Sequence, residues 1–232
     1  MQARLLTRVS ILVAMGAALG SAALAQPAKA PPAAAPEWNQ TVTKEPAGQE
    51  FDAKQLDLIQ KVTTYFNQMG DMKGTFVQTS PDNKKLRGKI YVKRPSFFRF
   101  EYNLPSRQLI ISDSKSMIVQ DHDLKTDDRW GLDRTAFRLI LRKDVDLRRD
   151  ARILEVGETD DRIFVTVQDK NPDTPGRLKL FLSKRPTAEL KEWITTDSQG
   201  LETRVELTEF AKADDLDPSV FVPPPIALQK LQ

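Results

Sequence analysis

The sequence contains no cysteine and only one histidine, His122. Without cysteine there is no disulfide, so the fold must be held by its core. A metal site of the common kind is also short of donors, since no second imidazole or thiolate can complete a set around His122. His122 stands between Asp121 and Asp123. Neighbours on a strand or turn point in different directions, so the run reads as a solvated turn histidine. There is no glycine-rich phosphate loop and no G-x-S-x-G elbow. The paired carboxylates Asp127-Asp128 and Asp214-Asp215 lie in polar surroundings, where nothing would raise a pKa. Nucleophile, base and metal are all poorly supplied, and the chain reads as a non-enzyme with no cofactor.

Neither sign of charge dominates. The 232 residues carry 35 Lys+Arg and 32 Asp+Glu. Without Arg4 and Arg8 of the leading segment, 33 basic residues face 32 acidic ones, which gives no reason to expect nucleic acid as a partner. Beyond the first 25 residues no apolar run approaches the roughly 20 residues that cross a bilayer.

What is present begins at Met1. Arg4 and Arg8 form a basic region, Val9 to Leu19 is apolar or small except for Ser10, and Ala23-Leu24-Ala25 reads as a small-x-small cleavage site. Residues 1–25 are therefore predicted to be a signal peptide, with the mature chain starting at Gln26 and free in a bacterial periplasm. No cysteine follows the cleavage site, so the chain is not expected to be a lipoprotein itself. Residues 26–50 are rich in Ala and Pro, carry a lone Trp38, and read as a flexible leader. The folded domain is placed from Phe51 to about Pro225, within the stretch 51–232.

Asp52 is positioned to cap a first helix, on which Leu56, Ile59, Val62 and Phe66 recur at three- and four-residue spacing. Gly70 marks its stop. From Gly74 the period becomes two: Phe76 and Gln78, then Ile90, Val92, Phe98, Phe100 and Tyr102 alternate with polar neighbours across the turn Pro81-Asp82-Asn83. Further strands are predicted at 108–112, 116–121, 151–156, 162–168, 178–182, 190–196 and 203–210. The stretch 126–150, with the apolar block Ala136, Phe137, Leu139, Ile140 and Leu141, reads as helical. Consecutive antiparallel strands with two helical interruptions predict a mainly β (α+β) domain, a strongly curved sheet or partly closed barrel.

Strand parity places Arg94 on the face that carries Ile90, Val92, Phe98 and Phe100. A guanidinium on an apolar face costs several kcal/mol unless it is hydrogen-bonded. Either Arg94 reaches water around Pro95, or it bonds carbonyls of something that covers the sheet, such as the 126–150 segment.

The run Val92-Lys93-Arg94-Pro95, then Phe98 and Phe100, then Gln108-Leu109-Ile110-Ile111-Ser112-Asp113 resembles the LolA family of periplasmic outer-membrane lipoprotein carriers. Gly74-Thr75-Phe76-Val77-Gln78, Phe137-Arg138-Leu139-Ile140, Asp197-Ser198-Gln199-Gly200 and Asp217-Pro218-Ser219-Val220-Phe221 extend the resemblance over nearly all of 51–225. It implies an incomplete antiparallel β-barrel with a helical lid over its concave face. Arg94 would latch the lid, and Ile90, Val92, Phe98, Phe100, Phe137 and Ile140 would line a cavity for acyl chains. It also implies a monomer that takes acylated lipoproteins as cargo from an inner-membrane lipoprotein-releasing ABC transporter and delivers them to an outer-membrane receptor lipoprotein.

Two departures are visible. Ser112-Asp113-Ser114 replaces the usual Ser-Asp-Gly, which predicts a different turn type. Thr135-Ala136 replaces Thr-Pro, which removes a helix-start signal. The competing expectation is a periplasmic lipoprotein-binding regulatory or sensor module on the same half-barrel, whose known form adds a second domain.

Overall fold

Residues 50–226 are described by a computed structural model. The predicted signal peptide 1–25, Trp38 and the rest of 26–49 lie outside the described residues.

Helix α1 spans Ala53–Gln68. The Asp52 side chain accepts from the Gln55 N–H at 2.7 Å, and the Gln55 side chain accepts from the Asp52 N–H at 3.1 Å. Two otherwise orphaned donors are thereby satisfied at the helix start. The buried stripe is Leu58, Ile59, Val62 and Phe66. Leu58 takes the place expected for Leu56, which is only half-buried, because the helix turns that flank toward the sheet.

Among the described residues eleven strands follow. They are β1 Met72–Thr79, β2 Lys85–Lys93, β3 Phe97–Tyr102, β4 Gln108–Asp113, β5 Ser116–Asp121, β6 Thr126–Gly131, β7 Ala151–Glu158, β8 Arg162–Asp169, β9 Arg177–Ser183, β10 Glu189–Thr196 and β11 Glu202–Lys212. A 3₁₀ turn at Leu132–Arg134 and the short helices α2 (Arg138–Leu141) and α3 (Leu147–Asp150) connect β6 to β7. Residues 126–131 were expected to be helical and are instead a strand. Thr-Asp-Asp-Arg-Trp-Gly has no apolar alternation to announce it, and it pairs with β5 alone.

All the strands form one antiparallel sheet in the order β6-β5-β4-β3-β2-β1-β11-β10-β9-β8-β7. The expected incomplete barrel with a strongly curved sheet is corrected by this order, and in place of a helical lid over a concave face the short helices of the 132–150 segment pack on one face of an open sheet. The sheet is open, neither closed nor strongly curled, and β6 and β7 are its two edges. A meander determines which strands are neighbours, but closure needs the first and last strands to pair with a fixed stagger. Here the edges carry Asp127, Asp128 and Arg129 on one side and Arg152 and Glu155 on the other, residues that discourage edge pairing.

One face of the sheet holds the main core. Phe76, Ile90, Val92, Phe98, Phe100, Leu178, Leu180, Leu182 and Val205 are buried there with α1 and the 132–150 segment. Each fully buried side chain of this size contributes on the order of 1.5–3 kcal/mol. On the opposite face, Phe221 from the 3₁₀ turn Pro218–Phe221 lies 5.6 Å from the ring of Phe97. Arg99 donates to the Val220 carbonyl at 3.0 Å, seating this turn on that face.

The β4–β5 turn differs from its expectation. Ser114 has φ +78, the left-handed region that glycine would adopt freely. Asp113 Oδ1 accepts from the N–H groups of Lys115 and Ser116, and these bonds hold the conformation without a glycine.

Candidate functional site

β2 and β3 pair with Ile90 opposite Phe100 and Val92 opposite Phe98, so these four side chains form one apolar patch. The 132–150 segment lies over it. Phe137 approaches Phe98 at 5.8 Å between ring centroids and Trp193 of β10 at 6.1 Å, and Trp193 meets Phe100 at 5.9 Å. The Trp193 contacts are edge-to-face, the arrangement that the ring quadrupoles favour.

Two cavities remain within this packing. The smaller, about 40 Å³, is lined by Ile90, Val92, Phe98, Phe100, Phe137 and Ile140, together with Leu190 and Trp193. All six side chains predicted for the cavity thus border this one small space, four from the sheet and Phe137 and Ile140 from the segment over it. The larger, about 150 Å³, shares Phe98, Phe100, Phe137 and Trp193 with the first and continues past Tyr102, Met117 and Val205 to a polar mouth at Arg134, Arg177 and Asp197. Those four shared rings divide the two spaces.

Trp193 escaped the sequence reading for a definite reason. Alternation from Leu190 would turn Trp193 away, but the β9–β10 register shifts between Leu190 and Glu192. That bulge puts Leu190 and Trp193 on the same face. Tyr102 was read as a face residue but not as part of the cavity. Its hydroxyl donates to Gln78 Oε1 at 2.6 Å, and burial pushes its pKa well up. A buried amide–phenol pair satisfies polar groups that would otherwise be costly beside an apolar space.

Arg94 takes the second of its two sequence readings. Its guanidinium donates to the carbonyls of Arg142 and Lys143, the latter at 3.4 Å, just past α2. Burial lowers its pKa, and its Nε is enclosed without a hydrogen-bond partner. Ser96 adds a backbone bond to the Leu141 carbonyl at 2.9 Å. At the other end of α2, Arg138 is bound by two hydrogen bonds to Asp169 of β8. Asn67 of α1 exchanges two 2.9 Å bonds with the backbone of Val145. The segment that covers the apolar patch is therefore held by a small number of identifiable polar contacts.

The sequence's other polar clusters do not converge. His122 lies in the β5–β6 turn, where its N–H donates to the Arg107 carbonyl at 3.2 Å. The Asp127 carboxyl is held below the usual range chiefly by its hydrogen bond from Arg129, the opposite of a proton-donating acid. Asp215 pairs with Lys93 at 2.9 Å. Among the described residues, no group of three or more His, Cys, Asp or Glu side chains is placed to hold a metal ion.

The family model described as outer membrane lipoprotein carrier protein LolA matches residues 67–224. An outer-membrane lipoprotein carrier protein of Chromobacterium violaceum is 26% identical over 165 residues, covering 68% of this chain and 75% of that protein. The carrier protein of Proteus mirabilis is 26% identical over 180 residues, covering 73% and 83%. Among solved structures, a LolA superfamily protein from Nitrosomonas europaea aligns at 12% identity with a TM-score of 0.43, covering 73% of this chain and 97% of that one.

Proposed function

The chain belongs to the LolA family of outer membrane lipoprotein carrier proteins, a family of carriers rather than catalysts, and from that premise we propose that it ferries acylated lipoproteins through the periplasm in the apolar space beneath the 132–150 segment. The cargo would arrive from an inner-membrane lipoprotein-releasing ABC transporter and leave to a receptor lipoprotein at the outer membrane. The observation that carries this reading is the wall of Phe98, Phe100, Phe137 and Trp193 between two apolar cavities.

The energetics suit a carrier. Each buried CH₂ of an acyl chain contributes roughly 0.8 kcal/mol, so a chain buried along its whole length would be held too tightly to pass on. Cavities of about 40 and 150 Å³ are small beside the roughly 300 Å³ at which ligand sites begin. An entering chain must displace Phe137 or the segment that bears it, and that work offsets part of the gain. Arg94 acts as a latch in this scheme, since its bonds to Arg142 and Lys143 favour the covered state that cargo must displace.

The test is release of lipoproteins from spheroplasts. The chain from Gln26 onward should bring acylated lipoprotein into the soluble fraction as a complex that co-purifies with it. The variant Phe137→Glu, with folding checked by circular dichroism, should recover at least tenfold less. If the unaltered chain releases no acylated protein, the carrier reading is wrong.

A further inference from the structure

β10 and β11 run side by side from Glu192 opposite Glu206 to Thr196 opposite Glu202, and beyond Glu192 they part. Each strand carries a bulge near the point of parting. In β10 the extra residue is Lys191. In β11, Glu209 and Phe210 together face the single residue Gly74 of β1, as pairing passes from Lys73 opposite Ala211 to Thr75 opposite Thr208. Bulges bend their strand and increase its twist, and they collect where a side chain must be re-aimed.

The β11 bulge is built at a cost. Glu209 has φ +54, a conformation that disfavours any residue with a Cβ. Gly74 is required opposite it, because a Cβ there would lie 2.7 Å from the Phe210 Cα. The extra residue has one clear result. Continuing the alternation of Val205 and Leu207 would turn residue 209 to the core and residue 210 to solvent. With the bulge, Glu209 is exposed and Phe210 packs half-buried against the core.

The wedge between the parted strands is bordered by the second half of α1, which leaves a groove of about 830 Å³ on the outside of the molecule. Met69 and Phe210 line this groove, and both also line the 40 Å³ apolar cavity inside. They are the side chains that the two spaces share.

We propose that Met69 and Phe210 form a side door, and that the groove between α1 and the parted strands receives the distal part of an acyl chain that the inner cavities cannot contain. The proposal rests on the reading of this chain as an acyl-chain carrier. Continuity of the two walls identifies the occupant. A chain lying against Phe98 and Trp193 has Met69 and Phe210 as the next apolar side chains, and in the groove beyond them Tyr65, Met72 and Ala188 stand beside the charged Lys61, Glu189 and Lys191. Opening the way requires Phe210 and Met69 to move, and the lack of pairing between β10 and β11 beyond Glu192 leaves room for that local movement.

Photo-crosslinking tests the door. Palmitic acid and decanoic acid, each with a diazirine on its terminal carbon, are bound to the full mature chain, and the labelled peptides are mapped by mass spectrometry. The palmitic probe should label peptides containing Ala188 or Ala211, whereas the decanoic probe should label the interior around Phe98–Tyr102 and Trp193. Phe210→Trp, with folding checked by circular dichroism, should cut groove labelling by the palmitic probe about tenfold. The milder Phe210→Leu should increase groove labelling. Interior labelling by both probes, groove labelling equal for both, or groove labelling unchanged by Phe210→Trp would each overturn the door while leaving the carrier reading intact. Absence of labelling by either probe would remove the carrier reading, and the door with it.

Discussion

Arg138 and Asp169 are joined by two parallel hydrogen bonds of 2.5 Å, and the Asp169 side chain is wholly enclosed while Arg138 keeps 29% of its side-chain surface exposed. The pair ties the first residue of α2 to the end of β8, so the segment covering the apolar site is anchored at both ends of α2 by arginines, Arg138 at one and Arg94 at the other.

The exposure difference makes the two halves of that pair unequal. Arg138→Met strands a buried carboxylate that still accepts from the Asn171 N–H, and it should cost about 3 kcal/mol. Asp169→Asn leaves an arginine that can turn toward water, and it should cost less. Urea denaturation of both variants checks the order, and a larger loss for Asp169→Asn would contradict it.

Arg94→Met should loosen the same segment from its other end. A hydrogen bond from a charged donor is worth roughly 1.5–3 kcal/mol, so backbone amides of 138–145 should exchange about ten- to a hundredfold faster. Hydrogen exchange read by mass spectrometry measures this directly. The Arg94 Nε is enclosed without a partner, so the guanidinium is not fully hydrogen-bonded in this position. Unchanged exchange would mean that Arg94 does not hold the segment.

Glu158 links α1 to the far half of the sheet, with Lys54 at 2.8 Å and Lys184 at 2.9 Å. Hydrogen bonds from Lys54 and then Lys184 push its pKa down to about 2. A depressed carboxylate contributes stability that is fully present above its unfolded value, 4.5, and is lost as pH falls through about 2. Glu158→Gln should therefore be less stable than the parent at neutral pH, with the difference closing between those two values. Because Lys54 is exposed and Glu158 only half-buried, salt near 1 M should also erase most of the difference. Thermal melts across pH and ionic strength test both statements, and a difference that persisted at pH 2 would refute the assignment.

Much of the fold was legible because strand period and turn chemistry are local. Ser116–Asp121 is the strand expected at those bounds, and the Asp52 cap is where its sequence places it. β6 was not legible, since an edge strand with one partner and no buried face carries no period-two signal. The shared face of Ile90, Val92, Phe98 and Phe100 was legible by parity on β2 and β3, where no bulge intervenes, whereas the expectation that they and the 132–150 residues Phe137 and Ile140 line an acyl-chain cavity came with the resemblance. Trp193 and Phe210 were missed for the same cause: each lies just past a bulge, and one inserted residue reverses which side of the sheet a side chain takes.

The sequence by itself determined the kind of molecule, an antiparallel β chain with an apolar face and an arginine set within it, because alternation and turn residues act over a few positions. Only the tertiary structure decided that the sheet stays open, that Arg94 bonds the carbonyls beyond α2, and that Phe210 closes the wall between the inner cavity and the outer groove. Those outcomes depend on contacts between residues far apart in the chain and on single-residue shifts in strand register, and neither leaves a periodic mark in the sequence.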